Sequence, residues 1–366
     1  MPGATGSERA AAGCPSADGH DRTETVAVSR ARPAILTAVV VAVALVVAYA
    51  VVNHPGAAGR PAKLRTPDLQ AIPAPRHGPR IPAHGAYFGA WVRQGAFTQP
   101  NQVAALDTLQ GELGRRLDIV HTYLTWQGSF PTESDEVALS QGSTLLLSWT
   151  GTDSTAVSSG TDDSVLRQRA REIKATHKPI FLEWRWEMDR PNLRGVVGTP
   201  AQFIAAWKHV RAIFAQQHVS NVAWVWCPTA RGFQPGGNAT AYYPGDDEVD
   251  WVCTDAYPAF GPYSSFDDSA QPFLAWASHH RKPVMIGEFG VPQRFSPQQR
   301  AQWLRGAAQT VRADPQVKAL VYFDANEFGA ALANGMFLDN GTAPMQAFRQ
   351  IADSTYFNPH SLRVSG

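Results

Sequence analysis

Two glutamates stand out for the chemistry they could do: Glu187 in IFLEWRWEMDRP and Glu288 in KPVMIGEFG. Each closes a short apolar run, where a carboxyl without a role is costly to bury. The cost is plainest at Glu288, which ends its run and is followed by Phe289 and Gly290. Two carboxyls facing one centre can divide acid–base work. One keeps its proton for a leaving oxygen, and the other stays ionised and attacks carbon. Either glutamate alone is better explained by a salt bridge or a solvated rim charge, so the inference rests on the pair. No C-x-x-C pair or H-E-x-x-H motif occurs, and neither G-x-G-x-x-G nor G-x-x-x-x-G-K-[ST] follows an apolar run. Neither a metal nor a cofactor is therefore expected.

The elements that must hold such a pair are short β-rich runs alternating with helical stretches. The strands are predicted at Tyr87–Val92, Asp118–Leu124, Thr144–Trp149, Pro179–Trp184, Val222–Trp226, Val249–Thr254, Pro283–Gly287 and Ala319–Phe323. Amphipathic helices are predicted at Asp162–His177, Pro200–Gln217, Ser296–Ala313 and Ala343–Ala352. Eight strands alternating with helices fit an α/β fold of the (β/α)8 TIM-barrel type, for which ~250 residues is typical. A doubly wound sheet is the runner-up, and it lacks its glycine fingerprint here. In a barrel the working side chains project from the C-terminal strand ends. Those ends carry Trp91, His121, Trp126, Trp149 and Glu187, then Trp226, Asp255, Tyr257, Glu288 and Asn326. Such an acidic, aromatic-walled rim suits glycoside hydrolysis, with carboxyls ~5–5.5 Å apart for retention or ~6.5–9.5 Å for inversion. Trp224 and Trp226 flank Val225, so at least one is expected inside the barrel, with Trp224 in the core.

Ahead of the barrel the chain changes character. Residues 1–33 carry no sustained apolar period and read as a disordered cytoplasmic head. Ala34–Val52 is 19 residues without a charge, a helix length of roughly 28 Å and close to the hydrocarbon thickness. Arg30 and Arg32 precede it and the next cation is Arg60, which places the bulk of the chain outside a single-pass cell-membrane anchor. Ala48-Tyr49-Ala50 could instead be a signal cleavage site, giving a secreted protein. Residues 53–84 hold seven prolines and read as a semi-rigid spacer, followed by the catalytic domain over 85–358. The net charge of +1 offers no case for nucleic acid. Of three cysteines, Cys227 and Cys253 fall in the barrel, bridged or buried and free, with free thiols the favoured reading.

The segments IFLEWRWEMDRPN, VAWVWCPTA, YYPGDDEVDWVCTDAYP and KPVMIGEFG, in that order, resemble the landmarks of glycoside hydrolase family 26, the β-mannanase-like family. The resemblance covers roughly 85–355 and is most specific at YYPGD…VDW…D-x-Y and IGEFG. It implies a retaining double displacement with Glu187 as general acid/base and Glu288 as nucleophile. It also implies that Tyr257 hydrogen-bonds near the nucleophile, with Asp255 as its neighbour. The chain departs from the family pattern in two places: Trp186 stands where a histidine is usual, and Glu183 where an arginine is usual. Arg185 is expected to supply the missing positive charge by strand alternation. The partner is then a polysaccharide, β-mannan or another β-linked glycan such as an exopolysaccharide, taken by a monomer. The competing reading is a non-catalytic glycan-binding or assembly module of a cell-envelope system, which has no need of two carboxyls at one centre.

Overall fold

The short apolar runs pair side by side, each parallel to the next, and close on themselves in the order β1-β2-β3-β4-β5-β6-β7-β8. The computed structural model describes residues 72–92, 95–259, 261–325 and 332–364. The strands are β1 (Tyr87–Val92), β2 (Ile119–Leu124), β3 (Thr144–Trp149), β4 (Ile180–Trp184), β5 (Val222–Trp226), β6 (Trp251–Ala256), β7 (Val284–Phe289) and β8 (Val317–Asp324). All eight expected strands are present, with β6 and β7 beginning and ending a little later than their apolar runs suggest. The longer helices are α1 (Gln99–Leu113), α2 (Glu133–Ser140), α3 (Asp163–Ala175), α4 (Pro200–Gln216), α5 (Phe266–Ala277), α6 (Pro297–Ala313) and α7 (Ala343–Ala352). After β5 the helix position is taken by 3₁₀ turns at Ala230–Phe233, Ala239–Tyr242 and Asp246–Glu248.

Local sequence sets where helices begin. Thr199 and Ser296 cap α4 and α6, each accepting from the backbone of Gln202 or Gln299 while that glutamine reaches back to the cap. These reciprocal bonds satisfy donors a helix start leaves open. α4 then buries Phe203, Trp207, Val210, Ile213 and Phe214 on one stripe. Phe203 stacks on Trp184 at 5.7 Å, and Trp207 meets Trp224 edge-on at 5.9 Å. Each such ring removes ~150–250 Å² from water, so much of the aromatic content holds helices to the outside of the barrel.

Strand alternation sorts the interior into tiers. At the base Tyr87, Phe181, Trp251, Met285 and Ala319 form an apolar plug, and Ile81 packs against it from below. The Tyr87 hydroxyl donates to the Arg80 carbonyl at 2.6 Å, so the spacer is already seated on the barrel before it ends. The remainder of that spacer up to residue 71, the expected head (1–33) and the apolar run (34–52) lie outside the described residues. Among the described residues no helix is long and apolar enough to cross a membrane.

Cys227 and Cys253 form a disulfide, which corrects the expectation of free thiols. Parallel pairing of Val225 with Trp251 and Trp226 with Val252 sets the two cysteines opposite each other on interior-facing positions, with Cα atoms 4.3 Å apart.

Candidate active site

The middle tier of the interior is polar, and the site is built on it. On β7, Met285 faces the interior and Ile286 the helices, so strict alternation would turn Gly287 inward and Glu288 outward. The register breaks here: Thr254 pairs with Ile286 and Asp255 with Glu288, leaving Gly287 as an extra residue. Such a bulge re-aims the next side chain, and Glu288 turns into the mouth. Only glycine fits the extra position, because a Cβ there would lie 2.5 Å from Cys253 Sγ and 3.0 Å from Cys227 Sγ. Gly287→Ala is therefore expected to cost ~1–3 kcal/mol of overpacking strain. Thermal melting checks this, and a variant that melts with the parent would show slack in the bulge.

Two tyrosines hold Glu288. Tyr123 on β2 donates to Oε1 at 2.5 Å, and Tyr257 beyond β6 donates to Oε2 at 2.5 Å. Burial, reinforced by the Glu288 charge, pushes both phenols well above their usual range, so each keeps its proton as a donor. Hydroxyl donors at both oxygens stabilise the anionic carboxylate.

Glu187 sits just past β4, where the chain leaves the strand through two left-handed residues, Arg185 (φ 55°) and Glu187 itself (φ 51°). Non-glycine residues hold this conformation only when their surroundings impose it, and such strain clusters at functional sites. The imposing contacts are visible. The Glu187 amide donates to the Cys227 carbonyl at 2.7 Å, and Asp189 accepts from the Thr229 amide and hydroxyl. Burial raises the Glu187 carboxyl to about 7, the Glu288 charge adds to the rise, and Arg190 opposes it from 2.6 Å.

Beneath the pair lie Glu183, Asp255, His121 and Ser148, all nearly or fully buried. Burial lifts both the Glu183 and Asp255 carboxyls well above their usual range, and the charge of Glu288 lifts them further. Asp255 Oδ2 has no hydrogen-bond partner among the described residues. Glu183 and Asp255 cluster with the two sulfurs closely enough to hold a metal. In the bridge those sulfurs are not thiolates, the form that binds metal.

The structure brings together Glu187, Glu288, Tyr257, Asp255 and His121, and Trp91 joins them through an edge contact with Tyr123 at 4.9 Å. It does not bring in four of the expected residues. Trp149 is fully buried between the strands and α4, touching Phe214, and Trp126 stacks on it at 4.5 Å. Trp226 is fully buried against Tyr243 and Trp276 on the outer face. Residues two apart share a face, so Trp224 and Trp226 both point outward and Val225 points in. Arg185 lies over Gly151 with its guanidinium toward that carbonyl; β4 has ended at Trp184, so alternation no longer governs it, and the cation beside Glu187 is Arg190. Asn326 lies outside the described residues. Tyr123 was missed, although it shares a strand face with His121 and alternation would have found it. Trp186, half-buried and 5.3 Å from Tyr123, is a second aromatic of the mouth.

No protein-family model matches the chain. It is 29% identical over 261 residues to endoglucanase H of Acetivibrio thermocellus, a match covering 66% of this chain and 28% of that protein. It is 31% identical over 131 residues to beta-1,3-xylanase TXYA of a Vibrio species, covering 34% of this chain and 26% of that protein. The chain thus spans little more than a quarter of the length of either relative. Its fold is that of the catalytic domain of the family 26 endo-beta-1,4-mannanase of Bacillus sp. JAMB-750. That match has a TM-score of 0.59 at 15% identity and covers 76% of this chain and 89% of the mannanase domain.

Proposed function

We propose that the chain is a retaining, endo-type glycoside hydrolase of the family 26 kind, acting on a β-linked polysaccharide such as β-mannan or a related β-glycan or exopolysaccharide. One observation carries this reading. At a single barrel mouth, Glu288 is held by two phenol donors while Glu187 is lifted to about 7, which sets the two carboxyls up for opposite roles. Glu288 attacks the anomeric carbon as Glu187 gives its proton to the departing oxygen, leaving a glycosyl–enzyme ester and a free chain end. Glu187, now a carboxylate, takes a proton from water. That water breaks the ester, and Glu288 is restored with retained configuration at the sugar. Trp91 and Trp186 offer half-buried apolar faces at the mouth, suited to sugar rings.

The named activities of the relatives and of the fold neighbour, endoglucanase, beta-1,3-xylanase and endo-beta-1,4-mannanase, support a polysaccharide hydrolase. The uncharged run 34–52 and its arginine flank support a single-pass anchor with the barrel outside the cell membrane, carried on the proline-rich spacer.

The purified protein, incubated with β-mannans, β-glucans, β-1,3-xylan and bacterial exopolysaccharides, is expected to release reducing ends from at least one of them. An early fall in viscosity should mark internal cleavage. Tight glycan binding with no reducing ends from any polymer would favour the non-catalytic binding module instead.

A further inference from the structure

Five groups on β2, β3, β4 and β7 form a single file that ends on Glu288. Glu183 meets the Ser148 hydroxyl, Ser148 Oγ lies 2.6 Å from His121 Nε2, His121 Nδ1 lies 3.4 Å from the Tyr123 hydroxyl, and Tyr123 reaches Glu288 at 2.5 Å. His121, Ser148 and Glu183 are at most 1% exposed, so the protein alone sets where their protons sit. Burial lowers His121 to about 3, which keeps the imidazole neutral with one ring proton to place. Among the described residues, the charges that raise Glu183 come from other carboxyls, Glu288 foremost.

One ring proton and one serine proton leave few arrangements. If Glu183 were ionised it could only accept, so Ser148 would donate to it. His121 would then have to donate from Nε2 to Ser148, presenting a bare Nδ1 to the Tyr123 oxygen and competing with Glu288 for the phenol proton. If Glu183 carries a proton, the file runs the other way: Glu183 donates to Ser148, Ser148 to Nε2, and Nδ1–H points at the Tyr123 oxygen. The phenol proton is then left for Glu288. An imidazolium–carboxylate pair would give the same outer polarity, but at a desolvation cost of several kcal/mol per ion.

We propose that Glu183 is a positioning residue for the nucleophile: as a carboxylic acid it orients Ser148 and His121 so that Tyr123 commits its hydroxyl to Glu288. The inference rests on Glu288 being the nucleophile, and it gives a use to the acid that stands where family 26 enzymes usually carry arginine. It also explains how a fully buried acid is tolerated whose neighbours among the described residues are the Ser148 hydroxyl, with His121 Nε2 and the Cys253 sulfur each 3.9 Å away.

The test needs no substrate, so it stays separate from the question of activity. In full-length protein labelled with ¹⁵N-histidine, His121 is expected to show a protonated Nδ1 and a bare Nε2 throughout the neutral range. His121→Gln assigns the resonances. Infrared difference spectra of wild type against Glu183→Gln should show the loss of a protonated-carboxyl C=O band at neutral pH. The amide introduced by Glu183→Gln can still donate to Ser148, so Nδ1–H should persist in that variant. A protonated Nε2 in the wild type, alone or together with Nδ1, overturns the proposal, and so does the absence of the carboxyl band. Failure to cleave any glycan would instead count against the enzymatic reading and leave the tautomer result standing.

Discussion

Glu288→Ala is expected to lower kcat on the cleaved polysaccharide by about four to six orders of magnitude, the scale on which removing a covalent nucleophile acts. The size follows from what is lost. Without the carboxylate no ester can form, and the two phenols that face it, from Tyr123 and Tyr257, are left as donors to an empty position. Binding should survive, because the aromatic faces of Trp91 and Trp186 do not depend on Glu288. The expected pattern is therefore a collapse in kcat with KM nearly unchanged, measured by reducing-end release. A variant retaining a tenth of the parent rate would remove Glu288 from the mechanism.

Glu187→Ala should act on a different axis. A general acid contributes ~10²–10⁴-fold when the leaving group is poor, so loss of that size is expected on the polysaccharide. An activated aryl glycoside needs little protonation, and its first step should be almost unaffected. The pH profile gives the sign. The acid must be protonated to work, and burial and the Glu288 charge hold Glu187 at about 7. Wild-type activity on the polymer should therefore fall as pH rises through that value, and the variant should lack this alkaline limb. An unaltered alkaline limb in Glu187→Ala would assign the titration, and with it the acid role, to another group.

The barrel was largely legible in the sequence because each strand is a short apolar run bounded by turn residues. β1, β3 and β5 begin and end where those runs do. The two glutamates were legible for the same reason, as acids placed where apolar strands end. The errors have a common physical source in side-chain direction. Trp149 and Trp226 end strands, as expected of rim residues, yet their positions point to the helices and both are fully buried there. Glu288 is the reverse case. Simple alternation would send it outward, and only the extra Gly287 in the β6–β7 register turns it in. A bulge depends on two strands distant in sequence, so no local pattern announces it. Arg185 failed because the chain turns left-handed immediately after Trp184, and the cation that reaches Glu187 comes from Arg190 instead. The disulfide depended on register as well, since only the pairing of β5 with β6 places Cys227 opposite Cys253.

The division of roles between Glu187 and Glu288 is tested most directly by the anomeric configuration of an azide product. Each alanine variant is supplied with azide and an activated aryl β-glycoside of the sugar that the polysaccharide screen identifies. In Glu187→Ala the ester still forms on Glu288, and azide then displaces it from the opposite face, so the product should be the β-glycosyl azide with retained configuration. In Glu288→Ala azide enters directly from the vacated side and should give the inverted α-azide. The opposite pairing of variant and product, or two variants as active as wild type without azide, would contradict the assignment.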